Sequence, residues 1–234
     1  MKRIGEYWVP DVDTFFFRNL RKTKANYEGG GHGTQIGHLK DALAEIRKRV
    51  GAEAMAASVA IDAGANVGAY ARHMAEVFSH VHAFEPAPDT FACLARNIQD
   101  WGLSSSVTPR PEALSSQMEG VSMASGGLLR RSISRAVKGP GDIPAITIDS
   151  LELSDVLFLK LDVEGYELKV LQGASETLTR CAPFVMMEMK QRKIERGTAD
   201  MAPHECLTAR GYTVCAKLGE PVIDWLYAPM RYAD

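Results

Sequence analysis

The strongest apolar runs in the chain are short: Ser58–Ile61, Val156–Leu161 and Phe184–Met187. Each is strand-sized and has too little alternation for a half-exposed strand, so each predicts a strand buried on both faces. His80–Phe84 and Val107–Ala113 are of similar length and more mixed, and predict two further strands. Between them lie amphipathic stretches of helical length. His38–Val50 carries Leu39, Leu43, Ile46 and Val50 on one face. A second helix opens after residues 62–68 and runs to about Phe78. Pro88–Trp101 has proline in its first turn and Gly102 at its end. Tyr166–Arg180 and Pro203–Arg210, the latter stopped by Gly211, complete the set. Tyr212–Ala216 and Ile223–Tyr227 close the chain as an antiparallel pair. Residues 115–145 are rich in Gly, Ser and Pro and read as a short hairpin or a loop, and the composition of 120–142 suits a lid over substrate.

Strands alternating with helices predict an α/β fold with a mostly parallel seven-stranded sheet and helices on both faces. Right-handed crossovers put the strand C-termini along one edge, where such sheets bind ligands. Residues 1–50 read as an N-terminal extension and helix, a candidate lid or substrate contact, and 51–234 as the main domain. The apolar face of His38–Val50 is either core or the contact of a homodimer.

The residues at the strand ends carry the chemistry. Asp62-Ala-Gly-Ala-Asn-Val-Gly68 lies between a strand and a helix, where glycines admit a close ligand and the helix start offers free N–H groups. In a dinucleotide fingerprint the middle position is glycine; here it is Asn66, which would press on a pyrophosphate. Asp62 would repel phosphate and suits a cation, such as the ammonium or sulfonium of S-adenosylmethionine (SAM). Glu85 follows Gly64 by the ~20 residues expected of an acid that binds ribose hydroxyls. Pro86 follows it, and Glu112 and Ala113 end the third strand, where an adenine ring would lie.

Composition narrows the partners. A net charge of −2 and a pI near 6.3 give no bulk attraction to nucleic acid, and none is expected as partner. Cys93, Cys181, Cys206 and Cys215 form no CxxC pair and no zinc spacing. Met1–Pro10 lacks the apolar core of a signal peptide, and no apolar run approaches the ~20 residues that span a bilayer. The expectation is a cytoplasmic protein with no membrane partner.

These segments together resemble the FkbM family of SAM-dependent methyltransferases. The matching residues are Ile61–Gly68, Ala83-Phe-Glu-Pro86 with Asn97, Ala113-Leu-Ser115, Ile148-Asp-Ser-Leu151, Lys160-Leu-Asp-Val-Glu-Gly-Tyr-Glu167 with Val170–Ala174, and Pro183–Glu188. The resemblance implies a class I SAM-methyltransferase (Rossmann-like) fold and methyl transfer, usually to a hydroxyl of a sugar, glycan or small metabolite. It also implies that Asp62, Gly64, Asn66, Gly68 and Glu85 line the SAM pocket. Residues 1–50 and 192–234 match only loosely, and the acidic residue often found after Ala113-Leu114 is missing.

Methyl transfer asks the protein to position two reactants and remove a proton from the acceptor. The fourth strand ends in Asp162-Val-Glu164-Gly165 and the fifth in Glu188, so the candidate catalytic residues are Asp162, Glu164 and Glu188. They serve either as a base with its supports, Asp162 being the base or oxygen-orienting group, or as ligands of a divalent cation such as magnesium. Glu164 also reads as a helix cap and Glu188 as a partner of Lys190 or Arg192. Lys160 is either a buried partner of a carboxylate or edge-exposed. His32, His38, His73, His80, His82 and His204 offer other bases, His32 from a glycine-rich segment that suits a lid. Arg18–Lys24, Arg130–Arg135 and Arg192–Arg196 are candidate contacts for phosphate or an acidic substrate. Two competing readings are a nicotinamide-dependent oxidoreductase, disfavoured by Asp62 and Asn66, and a nucleic-acid methyltransferase, disfavoured by the charge and by Asp162-Val-Glu-Gly165.

Overall fold

Leu39, Leu43 and Ile46 recur at helical spacing, and in the computed structural model of the chain they form the buried stripe of helix α1 (Gln35–Val50). The structure describes residues 1–11, 35–126, 130–138, 143–189, 191–219 and 223–232. His32 with its glycine-rich segment, the basic segment Arg18–Lys24, and Lys190 lie outside the described residues. Ahead of α1, β1 (Lys2–Ile4) and β2 (Tyr7–Val9) form an antiparallel hairpin. After it come α2 (Ala52–Ala56), β3 (Val59–Ala63), α3 (Ala69–Met74), β4 (His80–Phe84), α4 (Pro88–Asp100) and β5 (Val107–Arg110). A second group follows: β6 (Ala113–Leu114), β7 (Glu119–Gly126), β8 (Arg130–Lys138) and β9 (Ile143–Ile146). The last third holds β10 (Val156–Leu161), α5 (Glu167–Gln172), α6 (Ser175–Arg180), β11 (Phe184–Glu188), α7 (Gln191–Glu195), α8 (Ala202–Thr208), β12 (Tyr212–Leu218) and β13 (Asp224–Pro229).

The main sheet has seven strands in the order β12-β13-β11-β10-β3-β4-β5. β13 runs antiparallel to both its neighbours, and β11, β10, β3, β4 and β5 pair in parallel. The α/β architecture expected from the sequence is therefore present. Every residue of β10 is buried because helices cover both faces. Leu39, Leu43, Ile46, Leu94 and Ile98 of α1 and α4 pack with Ala60, Phe158, Met186 and Leu226 on one face. Val170, Leu171, Leu178 and Leu207 of α5, α6 and α8 pack with Ile61, Leu159, Val185 and Tyr227 on the other. The apolar stripe of α1 is thus core, and is not available as a dimer contact.

Two elements differ from expectation for local reasons. The third strand does not run from Val107 to Ala113. Pro111 has no N–H to give a ladder, β5 stops at Arg110, and Ala113 starts β6 of a separate four-stranded sheet, order β6-β9-β7-β8. The hairpin read in residues 115–145 is β7 with β8; residues 127–129 and 139–142 of that segment lie outside the described residues. The helix read over Tyr166–Arg180 is two helices. A Cβ on Gly173 would sit 2.0 Å from the Ser115 carbonyl oxygen, so the chain passes this close contact and restarts. Asp149 then caps α6: its carboxylate accepts the Glu176 N–H at 3.0 Å, and the Thr177 N–H and hydroxyl at 2.8 Å each.

Asn97 ties the N-terminal hairpin to the sheet. It is fully buried on α4 and donates to the carbonyls of Trp8 (2.9 Å) and Val67 (2.8 Å), while its oxygen accepts the Trp8 N–H at 2.6 Å. Asn97→Ala strands three backbone groups away from water. We expect a loss of roughly 2–3 kcal/mol in urea unfolding, and a loss below about 1 kcal/mol would mean that water replaces the amide.

Candidate functional site

The site is built where β3, β4, β10 and β11 end along one edge of the sheet. β3 leaves the core at the fully buried Asp62 and turns through Gly64 at φ 81°. A Cβ at Gly64 would lie 2.0 Å from the carbonyl oxygen of Asp162, so only glycine lets the ends of β3 and β10 touch. The N–H groups of Gly64 and Ala65 both donate to the Phe84 carbonyl, at 3.0 and 2.8 Å, which hangs the loop on β4. Asn66 adopts φ 53° and Gly68 φ 93° before α3 begins. Asn66 Oδ1 is buried without a hydrogen-bond partner.

Glu85 stands opposite that loop, immediately after β4 and ahead of Pro86. Its two oxygens accept the N–H groups of Asn66 (3.0 Å) and Ala87 (2.9 Å), which fixes the carboxylate and leaves further lone pairs on both atoms. Burial pushes the Glu85 carboxyl up to about 7, against the pull of those two N–H groups. Glu112 lies between β5 and β6, 4.0 Å from Arg110, with Oε2 buried and unpartnered. Ala113 beside it is buried. The cofactor-side candidates thus occupy the loop after β3 and the ends of β4 and β5.

The strand ends also carry a row of charge. In the main sheet Lys160 is in register with Asp62 on one side and Met186 on the other. Its buried ammonium lies 3.2 Å from Asp62 Oδ1 and 3.7 Å from Asp162 Oδ2, and donates to the Gly64 carbonyl at 3.1 Å. Tyr70 of α3 covers it, ring centroid at 4.8 Å. Burial alone would lower the Lys160 pKa, but Asp62 and Asp162 outweigh it and Asp224 adds to them, so the ammonium is held charged. Lys160 is therefore the buried partner allowed for in the sequence, and it is the cation that meets Asp62. Asp162 is part-exposed just past β10. Glu164 is exposed in left-handed backbone, φ 52°, ahead of α5, which starts at Glu167, whose Oε1 accepts the Gly165 N–H at 3.1 Å. Glu188 ends β11 in register with Asp224 of β13.

Sequence reading missed Asp224, which no motif marks, and left His38 as one histidine among six. The structure brings the two together at 2.7 Å. Among the described residues no three His, Cys, Asp or Glu side chains gather as a cation site. Asp162, Glu164 and Glu188, all among those residues, are thus not gathered as the magnesium site that the sequence allowed.

Among the described residues no helix is long and apolar enough to cross a membrane. The family model described as the methyltransferase FkbM domain matches residues 62–214, more than half of the chain. A hexuronic acid methyltransferase, AglP of Haloferax volcanii, is 32% identical over 133 residues, 55% of this chain and 54% of the relative. The chain thus spans about half the length of that curated relative. The crystal structure of an FkbM methyltransferase from Methylobacillus flagellatus superposes with a TM-score of 0.51 at 16% identity, covering 93% of this chain and 61% of the other. A methyltransferase from Geobacter sulfurreducens gives 0.50 at 16% identity, covering 92% and 86%. Those two likenesses establish the class I methyltransferase fold. With the family model spanning the glycine loop, the β4 acid, the charged row and β11, the chain belongs to the FkbM methyltransferase family.

Proposed function

We propose that this methyltransferase takes its methyl group from SAM and delivers it to a hydroxyl of a sugar, glycan or small metabolite acceptor. The observation that carries the cofactor reading is Glu85, pinned by the Asn66 and Ala87 N–H groups with lone pairs to spare. Ribose hydroxyls are the donors such a carboxylate fits. The buried, unpartnered oxygens of Asn66 and Glu112 add acceptors for the amino groups of the same ligand. A ring of acceptors and carboxylates suits a cationic sulfonium and does not suit a pyrophosphate. Gly64, Gly68, Pro86 and Ala113 shape the walls, and Asp62 holds the loop through Lys160. When bound, SAM would supply the electrophilic methyl group. Asp162, beside Lys160 at the mouth of the row, orients the acceptor oxygen, with Glu164 and Glu188 supporting the acceptor side. The sugar-type acceptor rests on the hexuronic acid methyltransferase relative. Four cysteines without a disulfide agree with a reducing, cytoplasmic setting.

Thermal and chemical unfolding with SAM, S-adenosylhomocysteine and NAD tests this. A ligand at about a hundred times its Kd adds roughly 2.7 kcal/mol. SAM and its product should do so and Glu85→Ala should abolish it. Stabilisation by NAD alone would overturn the cofactor reading. Mass spectrometry of D-glucuronic acid and neutral hexoses incubated with SAM tests the acceptor, which fails if no hydroxyl gains a methyl group.

A further inference from the structure

The sheet face under α1 and α3 turns from apolar to charged as it nears the ligand edge. Ala60, Phe158, Met186 and Leu226 form its apolar part. Side chains two residues on along a strand share a face, so Asp62, Lys160 and Glu188 continue that face on β3, β10 and β11, and Asp224 continues it on the reversed strand β13. α1 lies over the end of this row. There His38, 1% exposed, places Nδ1 2.7 Å from Asp224 Oδ2. The other ring nitrogen, Nε2, is buried and has no hydrogen-bond partner.

Other described histidines lack this combination. His204 Nδ1 meets the Tyr227 hydroxyl at 3.1 Å, and His80 Nε2 meets the Thr108 hydroxyl at 2.8 Å. His73 faces the exposed Glu76 one turn on. His82 lies mid-strand on the opposite face from Val81 and Ala83, and burial pushes it down to about 4. A carboxylate on one imidazole nitrogen fixes the proton there and leaves the other nitrogen as a lone-pair acceptor. An atom so prepared, buried away from water beside the charged row, needs a donor, and an acceptor hydroxyl is one.

We propose that His38 is the base that deprotonates the methyl acceptor and that Asp224 positions it. The inference rests on the reading of the site as a hydroxyl methyltransferase. In the step, the acceptor oxygen forms the bond to the methyl carbon and the methyl–sulfur bond breaks, its electron pair staying on sulfur. The hydroxyl proton passes to His38 Nε2. The resulting imidazolium keeps its Nδ1–H on Asp224, and it gives up its extra proton after the methylated product leaves and water reaches the ring. Asp162 keeps the oxygen-orienting role, close to Lys160.

Two readouts test this separately from the acceptor's identity. Nitrogen NMR of ¹⁵N-histidine-labelled protein, saturated with S-adenosylhomocysteine, reports the ring directly. The neutral His38 ring should be found with its proton on Nδ1 and with Nε2 bare. Asp224→Asn should shift the tautomer or disorder the ring. An Nε2–H tautomer, or a ring that stays doubly protonated, overturns the proposal whatever the substrate. D-glucuronic acid then serves as probe: binding should move the Nε2 signal. No movement, with SAM binding intact and the tautomer as expected, counts against the sugar acceptor and leaves the base assignment to the NMR result. With a working acceptor, His38→Gln should lower kcat by about 100- to 10 000-fold, with SAM affinity within about twofold, and imidazole should partly rescue His38→Ala. A folded His38→Gln enzyme within tenfold of the parent kcat would also overturn it.

Discussion

Replacing Lys160 by Met should destabilise the protein by about 3–5 kcal/mol at neutral pH, as measured by urea unfolding. The lysine neutralises the fully buried Asp62 at 3.2 Å, and its removal leaves that carboxylate enclosed with no cation. Burial pushes the Asp62 carboxyl up, and Lys160 pulls it back. Without the lysine Asp62 meets the full effect of burial and takes up a proton in the folded state. Its folded pKa then stands far above its unfolded one. The stability tied to that proton is complete below the unfolded pKa and is lost as pH rises through the folded one. The deficit of Lys160→Met should therefore shrink in acid and widen in base. Pairing it with Asp62→Asn should recover most of the loss, since a neutral buried pair needs no counter-charge. Asp62→Asn alone should cost less than Lys160→Met, because Asp162 at 3.7 Å still faces the ammonium. A Lys160→Met protein within about 1 kcal/mol of the parent at pH 7.5 would show that the pair does not organise this edge.

Much of this edge was legible in the chain, and the reason is local. Val156–Leu161 and Phe184–Glu188 announce themselves because burial on both faces removes alternation. The Asp62–Gly68 loop is legible because a tight turn into a helix demands glycine, and Gly64 meets that demand against the Asp162 carbonyl. Glu85 follows from its spacing. What escaped depends on distance in sequence. Asp224 and His38 are 186 residues apart, and no local pattern joins them. The break between α5 and α6 depends on Ser115 and Asp149, far from the helix they interrupt. The β1–β2 hairpin is fixed by Asn97, 89 residues from Trp8. Lys160 shows the limit most clearly. One residue in an apolar strand read equally as edge-exposed or buried, and only the register that sets it beside Asp62 decides between them.

Glu85 should make cofactor binding pH-dependent. Burial holds its carboxyl up to about 7 from an ordinary 4.5, so in the ligand-free protein it is largely neutral in mild acid. The stability this lends is complete below the unfolded pKa and is lost as pH rises through about 7. At about 1.4 kcal/mol per pH unit of displacement, the ligand-free protein should lose roughly 3 kcal/mol relative to Glu85→Gln between acid and neutral pH. A ligand reverses the preference. Hydroxyls that donate to the carboxylate favour its charged form, so S-adenosylhomocysteine should expel the proton on binding. Its Kd should tighten by up to tenfold per pH unit while pH rises toward 7, then level off. Calorimetry at about pH 6 in buffers of different ionisation enthalpy should count close to one proton released, and about none at pH 8. Glu85→Gln should bind more weakly and without either pH dependence or proton release. If the parent protein binds S-adenosylhomocysteine equally well at pH 5.5 and 7.5 with no proton released, then Glu85 is already ionised before the ligand arrives, and its two backbone N–H partners outweigh its burial.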